Sequence, residues 1–318
     1  MTFKRIICFF CIMVVLEIGG MVSVAIWMHH GEDPAVQAES AHENRNALLD
    51  GEQRAPSARD AVELNRNIES ILGGDSGRYA IYFWRPAQEV EPFIYQNRPM
   101  SPASMIKVFV MAAAMQEVHD GSLSLDEKIV IQEKDVVGGA GVITWYNIGE
   151  SRSVRELISV MITDSDNTST NMLIDRLGMD KINRYIKGHG YGDTVLAHKM
   201  MIGNGGRKNY SSVRDLGKLF SRLYLHQLVG ESEDRFMEIV LSNQKDKECF
   251  NAALPDVSIA HKTGEVTGLY DDGGIIFGRQ GDFVLVIMDE GYTSRGDTIE
   301  DMKKLTRYFA STLQRKKQ

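Results

Sequence analysis

The chain has 318 residues, enough for one large domain or two small ones, and its 43% hydrophobic and 25% charged residues are ordinary for a globular protein. Its net charge of −7 argues against a nucleic-acid surface, because phosphate binding needs clustered lysines and arginines. The eight histidines and three cysteines show no metal-ligand spacing, so neither a metal nor another cofactor is expected.

An apolar run over residues 6–28 follows Lys4 and Arg5. It is long enough to span a bilayer as a helix, and the basic residues before it predict that everything after it is exported. Residues 1–28 are therefore predicted to be a transmembrane anchor, with a cleavable signal peptide as the shorter alternative. The first case predicts a single-pass protein of the cell membrane with an extracytoplasmic domain, and the second predicts a secreted protein.

Residues 29–59 are polar and weakly patterned, which predicts a flexible linker. Residues 60–318 are predicted to form one domain: a helix and two antiparallel strands, a helical block, three more strands and a last helix. The predicted ranges are 60–72, 79–84, 92–95, 104–249, 257–261, 274–277, 283–288 and 298–313. This order predicts a discontinuous α/β lobe with an all-helical lobe inserted, and a site in the cleft between the lobes.

Ser104 and Lys107 stand at the start of an apolar stretch that is predicted to be a buried helix. Residues i and i+3 of a helix share a face, so the two side chains point the same way. A serine becomes a nucleophile when a neighbouring base takes its proton, and an amine removed from water has a lowered pKa and can be that base. Alone, the pair is more typical of a helix-capping serine and a lysine that reaches the surface.

Two further motifs favour the catalytic interpretation. Ser165-Asp166-Asn167 opens a predicted helix, and Lys262-Thr263-Gly264 follows the predicted strand at 257–261. Each triplet has ordinary structural uses, as a turn, a helix start or a strand end. All three motifs in this order and in these contexts are hard to obtain by accident.

The three motifs are the set found in class A β-lactamases and penicillin-binding proteins, and the chain resembles that serine hydrolase superfamily, in particular its class A branch. The resemblance covers about residues 60–313 and includes Asn97-Arg98-Pro99-Met100 and Gly274-Ile275-Ile276 between the motifs. It implies an α/β fold of the β-lactamase-like two-lobe type. An antiparallel five-stranded sheet would be flanked by N- and C-terminal helices, with the all-helical lobe inserted.

The resemblance also implies a role for each motif residue. Ser104 would attack a β-lactam or peptide carbonyl to form an acyl-enzyme, Lys107 would take its proton, and Ser165 would relay a proton to the leaving nitrogen. The oxyanion would be held by backbone N–H groups of Ser104 and Glu265. Asp166 would brace the structure. The residues expected to bind substrate are Asn167, Lys262, Thr263, Gly264 and Glu265.

The sequence departs from the family in the loop that normally carries a glutamate for deacylation. In the register of the resemblance, His198 replaces the loop's arginine, Met200 replaces its glutamate, and Asn204 is retained. No Glu or Asp lies between Ala197 and Tyr210, so a small shift of register supplies no carboxylate. A missing general base typically costs about 10²–10⁴ in rate, which predicts slow deacylation.

Other departures concern the mouth of the site. Glycines and one alanine at 138–141 replace an aromatic wall, and Gly273 replaces an arginine that helps to hold the substrate carboxylate. Lys303 on the last helix is a candidate substitute cation. Glu265 adds negative charge where many substrates carry a carboxylate.

The sequence therefore predicts a monomeric β-lactamase-like serine hydrolase that takes a small-molecule β-lactam and contacts a membrane through its N-terminal segment. One alternative is a D-alanyl peptidase or penicillin-binding protein acting on peptidoglycan stem peptides. Another is a β-lactam-binding sensor module, which would need a signalling element.

Overall fold

The structure is a computed structural model that describes residues 13–18, 21–26, 58–88, 91–203 and 205–312. The chain divides into two compact units, residues 1–49 and 50–318. In the first unit, strands β1 (Met13–Ile18) and β2 (Met21–Ile26) pair antiparallel, with Met13 opposite Ile26.

These two strands occupy the apolar run that was predicted to be a membrane-spanning helix, so the helix prediction is wrong for residues 13–18 and 21–26. The run is rich in valine and isoleucine, which favour extended backbone, and its Gly19-Gly20 pair suits a two-residue hairpin turn. Within the described ranges, no helix has the length and apolar character needed to cross a bilayer. The predicted linker at 29–59 lies outside the described residues, except for its last two, which begin the first helix.

The second unit contains one antiparallel sheet of five strands in the order β4-β3-β9-β8-β7. Its strands are β3 (Tyr79–Trp84), β4 (Phe93–Tyr95), β7 (Ser258–Val266), β8 (Leu269–Phe277) and β9 (Phe283–Glu290). Two short strands, β5 (Lys128–Val130) and β6 (Ser151–Ser153), pair separately. The predicted five-stranded antiparallel sheet is confirmed, whereas the β5–β6 pair inside the helical block was not predicted.

The described helices include the predicted N- and C-terminal ones and a helical lobe between β4 and β7. They are α1 (Ala58–Leu72), α2 (Lys107–His119), α3 (Val154–Thr163), α4 (Asn167–Leu177), α5 (Met179–Gly188), α6 (Val213–Tyr224), α7 (Glu231–Ser242), α8 (Phe250–Ala253) and α9 (Arg295–Thr312).

The sheet has helices on both faces, because each of its strands alternates its side chains between two apolar layers. Phe83 packs on Phe309 of α9, with ring centroids 4.5 Å apart, in a core that α1 also joins. Tyr82, on the opposite face, hydrogen-bonds Ser221 of α6 at 2.9 Å. A Cβ at Gly217 would lie 2.2 Å from the Tyr82 ring, so α6 rests directly on the sheet.

Helix α2 runs through the middle of the helical lobe, and its first nine residues, Lys107–Met115, are all buried. The predicted apolar, fully buried helix is therefore confirmed. Ser104 stands just before it, in the short 3₁₀ turn Ala103–Ile106. This arrangement places the serine at the boundary between the helical lobe and the sheet.

Candidate active site

The turn that carries Ser104 is pressed against the edge strand β7. The amide of Met105 donates to Pro102 O at 2.7 Å, and Ala103 has a left-handed φ of +39°. A Cβ at Gly264 would lie 2.6 Å from Pro102 O, so only glycine allows β7 to approach this closely. Gly264 of the third motif therefore determines the distance between the Ser104 turn and the sheet.

Gly273 has a similar role on the neighbouring strand. A Cβ there would meet the terminal methyl of Met105 at 2.6 Å and Val286 at 3.1 Å. The space in which the family resemblance places an arginine is filled here by the methionine that follows Ser104.

Lys107 is fully buried at the start of α2, and within the described ranges its hydrogen bonds all go to the second motif. Its Nζ lies 2.5 Å from Ser165 O, 3.1 Å from Ser165 Oγ and 2.9 Å from Asn167 Oδ1. Burial, the nearby Lys262 ammonium and, in the opposite direction, Asp166 together hold the Lys107 pKa well below its usual range. The structure thus brings Lys107 and the Ser165 motif together across a separation of 58 residues.

Ser165 stands between two lysines. Its left-handed backbone, with φ of +54°, projects Oγ to 3.1 Å from Lys107 Nζ and 3.2 Å from Lys262 Nζ. Lys262 is also fully buried and donates to Thr263 O at 2.8 Å. Burial lowers the Lys262 pKa to about 8, against the opposing effects of the Asp246 and Asp272 carboxylates.

The hydrogen-bond partners of Lys107 leave room for a neutral amine. Ser165 O and Asn167 Oδ1 can only accept, so they take two N–H groups of Lys107. A neutral Lys107 then has one lone pair left, which can accept the Ser165 hydroxyl proton. Ser165 Oγ can in turn accept from a charged Lys262. With Lys107 neutral and Lys262 charged, the arrangement is a hydrogen-bonded chain from an ammonium, through a hydroxyl, to an amine.

Asp166 braces the mouth of this site. One carboxylate oxygen caps α4 through the Ser169 amide at 2.6 Å, and the other accepts the Val142 and Ile143 amides at 2.6 and 2.7 Å. A Cβ at Gly141 would lie 2.3 Å from that carboxylate, so the loop can approach only as glycine. The segment at 138–141, which was predicted to replace an aromatic wall at the mouth of the site, is therefore attached to the Ser-Asp-Asn motif.

Not every predicted residue joins the two lysines and Ser165. In the described part of the chain, neither Ser104 Oγ nor the Thr263 hydroxyl makes a hydrogen bond. Lys303 pairs with Glu300 on α9, which packs on the sheet face opposite Met105 and Val286. The structure does not bring Lys303 to the site.

Glu265 is engaged by a residue that sequence analysis did not identify. Arg295, the first residue of α9, holds it with two hydrogen bonds of 2.6 and 3.0 Å and reaches Glu248 at 2.8 Å. The same guanidinium lies 5.5 Å from the centre of the Tyr270 ring. Arg295 therefore offsets part of the negative charge predicted at Glu265. Because the two residues are 30 positions apart, no local spacing could have indicated this pair.

The loop of Met200 is held beside the site by Asn171, a second residue that sequence analysis missed. Asn171 accepts from Met200 N at 2.8 Å and donates to Met200 O at 2.9 Å. It lies one helical turn after Asn167, the partner of Lys107, so i+4 spacing is a signal that could have identified it. His198 directs Nδ1 at Lys199 O, 2.7 Å away, and Asn204 lies outside the described residues.

Comparisons with known proteins agree with the fold and identify the family. The sequence model of the beta-lactamase enzyme family matches residues 14–310. β-Lactamase BRO-1 of Moraxella catarrhalis is 33% identical over 117 residues, which are 36% of this chain and 36% of that enzyme.

Two solved structures share the fold at lower identity. A β-lactamase from Sphaerobacter thermophilus superposes with a TM-score of 0.73 at 23% identity, covering 79% of this chain and 97% of that one. A mutant of PBP-A, solved as an acyl-enzyme complex with penicillin G, has a TM-score of 0.73 at 22% identity, covering 83% and 99%.

Proposed function

Because the chain belongs to the beta-lactamase enzyme family, whose members are serine hydrolases, we propose that it forms an acyl-enzyme with β-lactams at Ser104 and releases the product slowly. The observation that carries the proposal is the chain of hydrogen bonds from Lys262 through Ser165 to a buried Lys107, at the mouth of the Ser104 turn. A lysine with a lowered pKa can act as a base at neutral pH.

In the proposed acylation, Ser104 Oγ forms a bond to the lactam carbonyl carbon while its proton passes to Lys107. The oxyanion is stabilised by the backbone N–H groups of Ser104 and Glu265. When the C–N bond breaks, the nitrogen takes a proton from Ser165, which regains one from Lys107. Lys262 and Thr263 face the substrate carboxylate. Asn167 forms a hydrogen bond with the side-chain amide of the substrate.

Deacylation then needs a water that a base deprotonates on the other side of the ester. No carboxylate stands between Ala197 and Tyr210, and the Met200 backbone lies where this loop meets α4. Without that base, hydrolysis of the ester is expected to lag behind acylation by about 10²–10⁴.

The test is intact-mass spectrometry of the purified protein mixed with excess penicillin and followed over time. A rapid adduct of about one equivalent followed by slow turnover supports the proposal. No adduct refutes acylation, and rapid turnover without a burst refutes slow deacylation.

The same residues suit the alternative predicted from the sequence, a D-alanyl peptidase acting on peptidoglycan stem peptides. Parallel reactions with a peptide that ends in D-Ala-D-Ala separate the two: release of D-alanine at a rate exceeding penicillin turnover favours the peptidase.

We also propose that the domain is a monomer outside the cytoplasm and that its N-terminal segment directs export, leaving the protein either membrane-bound or secreted. Lys4 and Arg5 before the apolar run support export. Protease treatment of intact and lysed cells tests the location, fractionation separates anchored from secreted protein, and light scattering tests the monomer.

A further inference from the structure

The free edge of the sheet carries different charged groups on its two sides. β7 is the outermost strand, and successive side chains of a strand point to opposite faces. Lys262 extends towards the helical lobe, where its Nζ lies 3.2 Å from Ser165 Oγ. Thr263 and Glu265 extend to the other face, where Glu265 meets Arg295 of α9. A substrate that lies along this edge therefore has a different set of charges on each side.

Arg295 holds the Glu265 carboxylate through a bidentate contact. Its Nε donates to one carboxylate oxygen at 2.6 Å, and its Nη2 donates to the other at 3.0 Å. Tyr270 is the register partner of Glu265 on β8, and the centre of its ring lies 5.5 Å from the same guanidinium. The planar fork of arginine suits both a carboxylate and an aromatic ring. The Glu265 side chain is thereby fixed beside β7.

A second carboxylate gives this group of side chains an excess negative charge. Arg295 Nη1 donates to Glu248 at 2.8 Å, so one guanidinium is shared by two glutamates. The three side chains are between 39% and 57% exposed, which leaves them accessible to a ligand at the strand edge. Glu248, Arg295 and Glu265 are called the Glu-Arg-Glu cluster below.

The cluster adjoins the place where the substrate carboxylate binds in the proposed acylation. Thr263, which faces that carboxylate, precedes Glu265 by two residues on the same face of β7, or roughly 7 Å along the strand. At such a distance, one unit charge changes the binding of another charged group by about three-fold even in the dielectric of water. The charge of the cluster is therefore close enough to influence which substrates bind.

The two sides of the edge together suit a substrate with two opposite charges. The amino group of Lys262 attracts a carboxylate from the side of the helical lobe. On the other side, the excess negative charge of the cluster attracts a cation. A neutral substituent gains nothing from the cluster, and a second anionic substituent is repelled by it.

We propose that Glu265 and Arg295 determine the charge selectivity of the site, so that it favours zwitterionic β-lactams with a cationic group next to the carboxylate. The inference rests on the proposed acylation at Ser104 and deepens it by naming the substrate class. Arg295 reduces the repulsion between Glu265 and the substrate carboxylate. Glu248 and Glu265 together retain the attraction for the cation.

Two cephalosporins with the same acyl side chain measure this selectivity. Cephalothin has a neutral acetoxymethyl group at the 3-position, and cephaloridine has a cationic pyridiniummethyl group there. The 3-position adjoins the carbon that bears the carboxylate. Stopped-flow absorbance gives the second-order acylation rate constant of each compound, and the selectivity ratio is cephaloridine over cephalothin. Comparing this ratio between variants cancels the intrinsic reactivity of the two compounds.

The two single substitutions should move the selectivity ratio in opposite directions. Arg295→Gln leaves both carboxylates without their cation and should raise the ratio about three-fold at low ionic strength. Glu265→Gln leaves one guanidinium with one carboxylate and should lower the ratio by a similar factor. The double variant restores one excess negative charge, so its ratio should return to that of the parent. These differences should shrink at about 1 M salt, which screens charges beyond about 3 Å.

Lys304→Gln is the matched control for loss of a positive charge. Lys304 is an exposed residue of the same helix that pairs with Asp301, about 13 Å along α9 from Arg295. Its substitution should leave the ratio unchanged. Arg295→Lys keeps the charge without the bidentate contact and should stay near the parent, whereas a purely structural role of the guanidinium would make it behave like Arg295→Gln.

Binding without acylation supplies a second measurement. In the Ser104→Ala protein and its Arg295→Gln and Glu265→Gln derivatives, calorimetry gives the dissociation constants of the same two compounds. The proposal requires the same opposite shifts in their ratio. Should Arg295→Gln not fold, Glu265→Gln and Glu248→Gln each remove one carboxylate, and both must lower the ratio.

Unchanged ratios in the single variants, shifts in the same direction, or shifts that persist at about 1 M salt overturn the inference. Absence of an adduct with either compound in the parent protein would instead refute the proposed acylation. The binding ratios of the Ser104→Ala series would then still decide the charge selectivity.

Discussion

A glutamate at position 200 should increase deacylation selectively. Met200 is 8% exposed, and its backbone N and O are both bonded to Asn171. Asn171 lies one turn, about 5.4 Å along α4, from Asn167, whose Oδ1 is 2.9 Å from Lys107 Nζ. The carboxylate of the Met200→Glu variant would therefore lie near Lys107, the proposed base for Ser104.

The size of the gain follows from two opposing effects. A positioned general base contributes about 10²–10⁴ in rate, or roughly 3–5 kcal/mol of barrier. Burial at this position raises the pKa of the new carboxyl group and costs about 1–3 kcal/mol of folding stability, because the group lacks a designed partner. We therefore expect a gain at or below the lower end of the range, about 10–100-fold faster deacylation.

The assay is pre-steady-state hydrolysis of penicillin, which separates the burst from the steady rate. The steady rate should rise while the burst rate changes little. Met200→Gln keeps the size without a base, and Met201→Glu places the same charge on the neighbouring side chain, which is 65% exposed. Neither should accelerate turnover. Equal gains in the steady rate from Met200→Glu and Met201→Glu would refute this interpretation of the loop. The interpretation would also fail if a folded Met200→Glu protein showed the acylation burst but no increase in the steady rate.

Four other substitutions test separate parts of the site. Ser104→Ala should form no penicillin adduct, and peptide mapping of the parent should place the adduct on Ser104; an adduct elsewhere contradicts the assignment. Lys107→Ala should abolish acylation at neutral pH and recover partly at high pH. Lys262→Arg should retain measurable acylation and extend it above pH 8, since Lys262 loses its proton as the pH rises through its pKa of about 8 and a guanidinium does not. Identical profiles for these two variants would disprove the division of roles. Asp166→Ala should lower the free energy of unfolding by about 3–5 kcal/mol in urea titrations, because it leaves three backbone N–H groups without their charged acceptor. A loss below about 1 kcal/mol would show that the brace is dispensable.

Local sequence was sufficient for the main elements of the second unit. The apolar stretch after Ser104 could only be a buried helix, and the stripe of Ile299, Met302, Leu305 and Phe309 is buried as its 3.6-residue period predicts. Four of the motif residues, Lys107, Ser165, Asn167 and Lys262, are also brought together by hydrogen bonds. Periodicity and motif spacing report on neighbours along the chain, which is why these predictions succeeded.

The N-terminal run shows where local pattern is ambiguous. Length and hydrophobicity suit a membrane helix, while valine, isoleucine and Gly19-Gly20 suit a hairpin, and the structure has strands. The pair β5–β6 was missed for a related reason, since three-residue strands carry too little pattern to detect.

Tertiary structure alone decided the electrostatics of the site. The sequence supplied two lysines with candidate roles, but only the packed chain buries both of them and places Ser165 between Lys107 and Lys262. The pairing of Glu265 with Arg295 is equally invisible in the sequence. Charge acts through space and burial, and both are properties of the packed chain, so residues distant in sequence determine which side chain is a base and which remains a cation.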